Sequence, residues 1–295
     1  MKPLYLYCSF LCVLTFASGC SDDKKSTASA DSLKTASLAD QTPLKDAGAY
    51  FERGGARIDS GDYNGAVADF NKYIEMKPAD ALGYVNRGIA ESHLKSFDAA
   101  IADYNQAIKL DASNPRTYYH LAIARSKAGD KETALQNMNK AIQLDPTDAD
   151  FYAERAVLRK KTGDIDGALA DYSKAIEMDP TYADNYYNRA ILYDDNNELA
   201  KALLDYNKAI ELDDKDPDYF CNRGLVYSEM KNHKAAIADY DRSIKLNPND
   251  ALVYDNRGIS NYKIGNKDAA VADFKKAVEL DPENADYKKH LNQAD

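Results

Sequence analysis

The sequence predicts an all-α fold, an α-solenoid of stacked helix pairs, from three observations on residues 47–284. An alanine recurs every 34 residues, an aromatic residue precedes each alanine by 16 positions, and no insertion interrupts the period. The recurring alanines are Ala66, Ala100, Ala134, Ala168, Ala202, Ala236 and Ala270. The predicted repeats 1 to 7 are residues 47–80, 81–114, 115–148, 149–182, 183–216, 217–250 and 251–284. A fixed period of this length indicates one supersecondary unit repeated along the chain.

The residues of repeat 4, 149–182, explain why each repeat would form two helices. Tyr152 and Ala156 are four residues apart, which places them on one face of a first helix. Gly163 provides the backbone freedom to end that helix, and Pro180 ends the second helix. A single repeat cannot bury both of its apolar faces, so only the stacked array is expected to be stable.

The repeat resembles the tetratricopeptide repeat, in the variant that carries an Asn-Arg-Gly step, as at residues 86–88 and 256–258. The resemblance covers residues 47–284 and implies a right-handed solenoid. It also implies that the first helices line a concave groove that binds another protein or an extended peptide. Residues 285–295 begin one more first helix and are predicted to be the cap that terminal repeats require.

A charged pair recurs within the repeats. Six repeats have Arg at position 7 and Asp at position 23, whereas repeat 3 has Leu121 and Asn137 at these positions. Because both residues change together, we expect a salt bridge between the two helices of a pair, with a structural role. The predicted pairs are Arg53 with Asp69, Arg87 with Asp103, Arg155 with Asp171, Arg189 with Asp205, Arg223 with Asp239, and Arg257 with Asp273.

Residues 1–19 have the composition of a secretory signal. Lys2 precedes an apolar run of residues 4–16, which is too short to span a bilayer. Small residues then lead directly to Cys20, and this arrangement resembles the lipobox of bacterial lipoproteins, although Ala17 stands where that family prefers Leu. The resemblance implies cleavage before Cys20 and acylation of its thiol. An ordinary secretory signal, in which Cys20 has no special role, is the alternative.

Residues 20–46 combine this cysteine with a stretch that is rich in Ser, Thr, Ala, Asp and Lys and has no aromatic residue. Such a composition cannot bury enough apolar surface to order itself, so we predict a flexible tether. The exported protein would contact the membrane through its lipid anchor only. Ser21 after the cysteine disfavours inner-membrane retention, so the outer membrane is the expected location, on a face that the sequence does not determine.

No catalytic, cofactor-binding or metal-binding motif is present in the sequence, so we predict a protein that is not an enzyme. The four histidines lie in different repeats without metal-ligand spacing. Residues 194–198 include three acidic residues, but they lack the glycine and the alternating ligand order of a calcium loop. A net charge of −10 disfavours nucleic acid as the partner, because phosphate binding requires a basic surface.

The remaining candidate site is the groove of the first helices. The Lys and Asn clamp with which chaperone-binding relatives hold a terminal carboxylate is absent. Basic residues beside aromatic ones in repeats 3 to 5 suggest an extended acidic segment as the partner. The predicted groove residues are Arg116, Tyr119, Ile123, Lys127, Val157, Lys160, Lys161, Tyr187 and Ile191. An ordinary solvated surface is the alternative interpretation.

The function predicted from anchor and repeats together is a membrane-tethered scaffold or adaptor of the bacterial envelope. Two alternatives remain at the level of the sequence. One is a regulator or accessory subunit of an envelope enzyme or of a secretion or pilus assembly machine. The other is a structural spacer without a specific ligand.

Overall fold

The computed structural model describes residue 44 and residues 46–294. The predicted signal, Cys20 and nearly all of the predicted tether lie outside the described residues. The described chain divides into two compact bodies, and the boundary along the sequence lies between Thr147 and Asp148. We call them the N-terminal body, up to residue 147, and the C-terminal body, residues 148–294, and describe each by itself.

The N-terminal body consists of six α-helices that form three antiparallel pairs. The helices are α1 (Ala47–Ser60), α2 (Tyr63–Met76), α3 (Ala81–His93), α4 (Phe97–Leu110), α5 (Pro115–Lys127) and α6 (Lys131–Leu144). Each odd-numbered helix is the first helix of a predicted repeat, and the even-numbered helix that follows is the second. The predicted repeats 1 to 3 therefore correspond to the three pairs.

The C-terminal body consists of four further pairs and a terminal helix. The helices are α7 (Ala149–Thr162), α8 (Ile165–Met178), α9 (Ala183–Asp195), α10 (Leu199–Leu212), α11 (Pro217–Glu229), α12 (His233–Leu246), α13 (Ala251–Lys263), α14 (Lys267–Leu280) and α15 (Ala285–Ala294). The last helix packs against α14 and also touches α13. The prediction of an all-α fold built from helix pairs is confirmed. Within residues 44 and 46–294, no helix is long and apolar enough to cross a membrane.

Short turns separate the two helices of each pair, and their residues explain the boundaries. Gly163 ends α7 with a left-handed φ of 85°, which a glycine adopts without steric cost. The side chain of Asp164 then accepts a hydrogen bond from the backbone N–H of Gly167 and so caps α8. In the second pair Lys95 adopts the corresponding left-handed conformation, with a φ of 61°.

The recurring alanine and the residue four positions later, which is aromatic in six pairs and Met138 in the third, form the centre of each pair. Ala168 and Tyr172 of α8 pack against Ala156 of α7, and all three are almost completely buried. Because alanine is small, it lets the two helices approach closely, and the ring fills the space beside it. Several pairs use glycine on the first helix instead of alanine, as at Gly88, where an added Cβ would lie 2.7 Å from the ring of Tyr104.

Candidate functional site

The predicted Arg and Asp partners lie in direct contact in all six repeats that carry them. Arg155 Nε lies 2.8 Å from Asp171 Oδ2, and its Nη2 lies 2.7 Å from Oδ1, so one guanidinium donates to both carboxylate oxygens. The remaining Nη2–Oδ1 distances are 2.6 Å for Arg53–Asp69, 2.5 Å for Arg87–Asp103, 2.9 Å for Arg189–Asp205, 2.6 Å for Arg223–Asp239 and 2.6 Å for Arg257–Asp273. Such bidentate contacts between arginine and carboxylate fix the orientation of one helix against the other.

The third repeat replaces this pair without leaving a buried charge. Leu121 of α5 is buried in an apolar cluster that includes Ala124 and Tyr104. Asn137 of α6 donates from Nδ2 to the backbone carbonyl of Thr133 at 2.7 Å. An apolar residue and an internally bonded amide therefore occupy the positions that hold an ion pair elsewhere.

Several of these arginines also reach the preceding repeat. Arg223 Nη1 donates to Asn207 Oδ1 at 2.7 Å, and Arg257 Nη1 lies 2.6 Å from Asp241 Oδ1. The guanidinium of Arg223 also lies over the ring of Phe220, with 5.8 Å between Cζ and the ring centroid. The arginines thus connect the two helices of one pair and neighbouring pairs, which is a structural role.

A different row of side chains connects consecutive first helices in the C-terminal body. Asn222 of α11 donates from Nδ2 to the hydroxyl of Tyr187 on α9, at 2.8 Å. Tyr219 of α11 donates its hydroxyl to the carboxylate of Asp184 on α9. Each contact joins a residue of one first helix to the residue 35 positions later, so the row runs across the helices from one repeat to the next.

The same relationship links α13 to the terminal helix. His290 Nδ1 of α15 lies 2.8 Å from Asp255 Oδ1 of α13, and the two residues are again 35 positions apart. Burial raises the pKa of the Asp255 carboxyl above its usual value, while the imidazole opposes this shift. The terminal helix therefore extends the row of first helices as well as capping the last pair.

Three polar atoms on these first helices have no hydrogen-bond partner in the described chain. They are Oδ1 of Asn222, Nδ2 of Asn256 and Oγ of Ser260. Asn222 is 2% exposed and Asn256 is 7% exposed. A buried polar atom without a partner costs about 1–3 kcal/mol, so these atoms mark places where the packing between first helices leaves polar groups incompletely satisfied. We call the surface that carries the row and these atoms the first-helix face.

The predicted groove residues are divided between the two bodies. Arg116, Tyr119, Ile123 and Lys127 lie on α5 of the N-terminal body. There the guanidinium of Arg116 lies over the ring of Tyr119, with 5.7 Å between Cζ and the ring centroid. The remaining predicted residues lie on two helices of the C-terminal body: Val157, Lys160 and Lys161 on α7, and Tyr187 and Ile191 on α9.

The predicted basic character of the C-terminal residues is offset by an acidic neighbour. Lys160 Nζ lies 3.3 Å from Asp195 Oδ2 on the next first helix. Tyr187 packs its ring 4.8 Å from that of Tyr219 and takes part in the row described above, so it connects helices as well as lining the face. Asp194 is buried within the last turn of α9, so this residue is not exposed to solvent like an ordinary acidic turn residue.

The surroundings of α11 are strongly acidic. Burial is the main cause of a raised pKa at Asp218. Together with the neighbouring carboxylates of Asp216 and Asp250, it raises the pKa of Asp218 to about 6. Burial is also the main cause of a raised pKa at Asp216, to which Asp184 contributes. In the part of the chain described here, no group of three or more His, Cys, Asp or Glu side chains is arranged so that it could hold a metal ion.

Sequence reasoning missed the amide atoms of Asn222 and Asn256 and the acidic surroundings of Asp218. The sequence did contain a signal for the asparagines, because Asn recurs at position 6 of repeats 2, 5, 6 and 7. There it directly precedes the arginine that forms the ion pair. The acidic residues were visible too, because Asp occurs at position 2 of repeats 4, 5 and 6. The groove prediction considered the basic residues of repeats 3 to 5 and did not use this positional pattern.

Comparison with known families agrees with the repeat architecture. Models described as tetratricopeptide repeat or TPR repeat together match well over half of the chain. The tetratricopeptide repeat models match residues 47–80, 115–148, 137–170, 217–250 and 251–284, and the TPR repeat model matches residues 94–129, 158–196 and 193–231. No curated protein matches the sequence significantly.

Solved structures share the fold at low sequence identity. The C-terminal part of a TPR repeat-containing protein from Cytophaga hutchinsonii has a TM-score of 0.65 at 22% identity, over 82% of this chain and 99% of that one. A chain of the APC/C hetero-tetramer Cut9-Hcn1 gives a TM-score of 0.63 at 16% identity. The match covers 82% of this chain but only 48% of that one, so this chain spans about half its length. YrrB, a TPR protein with an unusual peptide-binding site, gives 0.52 at 23% identity, over 62% of this chain and 95% of that one.

Proposed function

Because the chain belongs to the tetratricopeptide repeat family, we propose that it is a non-catalytic scaffold that binds a segment of another protein on its first-helix face. Proteins of this fold act as protein–protein interaction scaffolds, and YrrB is a related example with a peptide-binding site. The binding segment, its location on the face and the tether to a membrane are the specific parts of the proposal.

The observation that carries the proposal is the row of polar contacts that joins consecutive first helices of the C-terminal body, because it aligns these helices side by side in one face. An extended peptide presents backbone N–H and C=O groups in alternation, so it can pair with polar side chains along such a face. Such contacts give affinity independent of side chains, and apolar residues of the face would add selectivity.

The two bodies would contribute separately to recognition. In the N-terminal body, Arg116 and Lys127 are basic and Tyr119 and Ile123 supply apolar area, which supports the acidic segment proposed from the sequence. Lys160 lies beside Asp195, so part of its charge is offset. The preference for an acidic segment is therefore proposed for the N-terminal body only.

We further propose that a lipid on Cys20 tethers the scaffold to the bacterial envelope, at the outer membrane. The support is the order of basic start, short apolar run, small residues and cysteine in residues 1–20. A tether of about 26 residues has a root-mean-square span of roughly 30 Å, so the scaffold could search for partners near the membrane surface.

Site-specific photo-cross-linking tests the binding surface. A photoreactive phenylalanine analogue replaces Ile191 of α9 in the full chain, and cells are irradiated before membranes are solubilised. The matched control places the analogue at Leu204 of α10, which is apolar and 69% exposed but lies on a second helix. We expect a defined cross-linked partner from position 191 and not from position 204.

Two further results would contradict the proposal. If position 204 captures the same partner as position 191, binding does not depend on the first-helix face. If neither position captures a partner while the chain remains folded, the chain is a spacer. A repeat of the experiment with Cys20→Ser separates the tether from the binding site, because only the former requires the cysteine.

A further inference from the structure

Two neighbouring turns of the C-terminal body combine exposed apolar residues with lysines. Residues 229–234 contain the turn between α11 and α12 in repeat 6, and residues 262–268 contain the turn between α13 and α14 in repeat 7. Burial lowers the pKa of His233 in the first turn, and the charge of Lys263 in the second lowers it further, so the two turns lie close together. We call residues 229–234 and 262–268 together the basic edge.

Three apolar side chains of the basic edge are exposed to solvent. Met230 is 48% exposed, Tyr262 is 42% exposed and Ile264 is 37% exposed. Met230 and Ile264 occupy position 14 of their repeats, where repeats 4 and 5 of the same body have the polar residues Thr162 and Asn196. The stacking of repeats therefore does not require an apolar residue at this position.

Four lysines surround these apolar side chains, in a chain whose net charge is −10. They are the exposed residues Lys231, Lys234, Lys263 and Lys267. The basic edge contains only two acidic residues, Glu229 and Asp268. Among the residues that the structure describes, none of the four lysines forms an ion pair, whereas Lys208 on a second helix of the same body pairs with Glu211. The positive charge of the basic edge is therefore accessible to a partner.

The backbone of Lys231 is a further sign that its charge is used. Lys231 adopts a left-handed conformation with a φ of 62°. The corresponding residues of repeats 4 and 7 are Gly163 and Gly265, with φ values of 85° and 87°. A residue with a Cβ is disfavoured in this conformation, and a glycine is not. The chain thus keeps a lysine at the tip of the turn although glycine would remove the strain.

The shape of the basic edge favours a flat partner over an extended peptide. Residues 262–269 are all exposed, so this turn projects into solvent and does not line a groove. A membrane surface accepts such a projection, because apolar side chains can enter the headgroup region while lysines remain at the phosphates. Tyrosine is a residue that favours this interface, and anionic lipids attract clustered lysines.

We propose that the basic edge binds the surface of a membrane that contains anionic phospholipids. Met230, Tyr262 and Ile264 enter the headgroup region, and the four lysines pair with phosphate groups. The inference rests on the proposed tether, which keeps the membrane within reach, and it adds a second contact to the one made by the lipid. Two attachment signals hold a protein on a membrane more firmly than one, and they also orient the C-terminal body.

Lysine footprinting on vesicles tests the inference with the full acylated chain. The vesicles contain phosphatidylglycerol with phosphatidylethanolamine, or phosphatidylcholine alone, and brief acetylation is followed at each lysine by mass spectrometry. The four lysines should react about tenfold more slowly on the anionic vesicles than on the neutral ones, and added salt should reverse this protection. Lys245 and Lys275, which are exposed on the second helices α12 and α14, should react equally on both.

A matched pair of variants tests the apolar side chains. Met230→Ser with Ile264→Ser should reduce the protection of the four lysines at least ~twofold, because the apolar contribution to membrane binding is lost. Leu204→Ser is the control, since Leu204 is apolar and 69% exposed but lies on the second helix α10. It should leave the protection unchanged. Circular dichroism of both variants checks that a change in protection is not a loss of fold.

The outcomes separate this inference from the proposed function. Equal reaction of the four lysines on both kinds of vesicle would overturn the inference. Protection by a soluble peptide in which glutamate alternates with leucine, without protection on anionic vesicles, would overturn it and assign the basic edge to an acidic protein segment. Failure of the chain to sediment with neutral vesicles would instead contradict the lipid tether. Loss of capture from position 191 would contradict the peptide-binding face alone, because that measurement does not involve the basic edge.

Discussion

Arg189 of α9 holds Asp205 of α10 through two parallel hydrogen bonds, from Nε to Oδ2 at 2.7 Å and from Nη2 to Oδ1 at 2.9 Å. Its third nitrogen, Nη1, donates to the hydroxyl of Ser173 in the preceding pair at 2.9 Å. Both members of the pair are largely buried, with side chains 17% and 9% exposed. Either charge without the other would lose its main partner in a region of low solvent access.

Removing one member of this pair should therefore cost more stability than removing both. Arg189→Leu leaves Asp205 buried without its partner and should lower the free energy of unfolding by about 3 kcal/mol. The double variant Arg189→Leu with Asp205→Asn reproduces the residues Leu121 and Asn137 of the third repeat, and it should recover at least ~1 kcal/mol of that loss. Urea denaturation measures both values. A double variant no more stable than the single one would show that the pairing is not what stabilises the helices.

Two adjacent glycines of α1 should respond oppositely to the same substitution. A Cβ on Gly54 would lie 2.8 Å from Cζ of Phe70, whereas a Cβ on Gly55 would have no neighbour within 4 Å. Gly55→Ala should stabilise by about 0.5–1 kcal/mol through helix propensity, and Gly54→Ala should destabilise by about 1–2 kcal/mol through overpacking. Thermal unfolding compares them. Equal effects would mean that the ring of Phe70 moves aside at no cost.

Asp218 should give the C-terminal body a pH-dependent stability. Its folded-state pKa, about 6, lies above the value of 3.8 that is usual for an aspartate, so the folded chain holds this proton more tightly than the unfolded chain. The stabilisation is fully present below pH about 4 and is lost as the pH rises towards 6. Asp218→Asn should therefore unfold at a higher temperature than wild type at pH 7, with the difference shrinking towards pH 4. Asp166→Asn is the control, and a parallel shift in both variants would exclude a specific role for Asp218.

The lipid anchor predicts a specific dependence on one cysteine. Cys20→Ser should abolish incorporation of labelled palmitate. It should also release the chain from the membrane fraction, because the chain then has no acyl chain to hold it in the bilayer. Cys12→Ser, within the apolar run, should retain both labelling and membrane association. Palmitate labelling of the Cys20→Ser protein at the wild-type level would contradict the assignment.

The repeat made the fold predictable because seven copies of one pattern appear in the same sequence. A position such as Ala168 or Tyr172 was supported by its counterparts 34 residues away, and both are buried at the centre of a pair. The same comparison paired Arg155 with Asp171, since the third repeat departs at both positions together. Local spacing along the sequence indicated two helices in each repeat, with glycine or aspartate in several of the turns between them.

The functional face was only partly predictable, because contacts between repeats depend on how neighbouring helices are displaced. Asn222 meets Tyr187, and His290 meets Asp255, at a separation of 35 residues rather than the repeat length of 34. In these contacts, the residues that touch on consecutive first helices therefore do not occupy equivalent positions of their repeats. The contact of Lys160 with Asp195 has the same origin, and it removed part of the basic surface that charge counting had suggested.

The side-chain amide resonances of Asn222 and Asn256 test the central claim most directly. They can be recorded in nitrogen-15-labelled full chain before and after saturation with the partner segment that cross-links to position 191. A segment bound on the first-helix face should shift both resonances and leave unchanged that of Asn207, which lies on the second helix α10 and whose Oδ1 accepts from Arg223. Saturating binding that leaves Asn222 and Asn256 unchanged would show that the partner binds elsewhere.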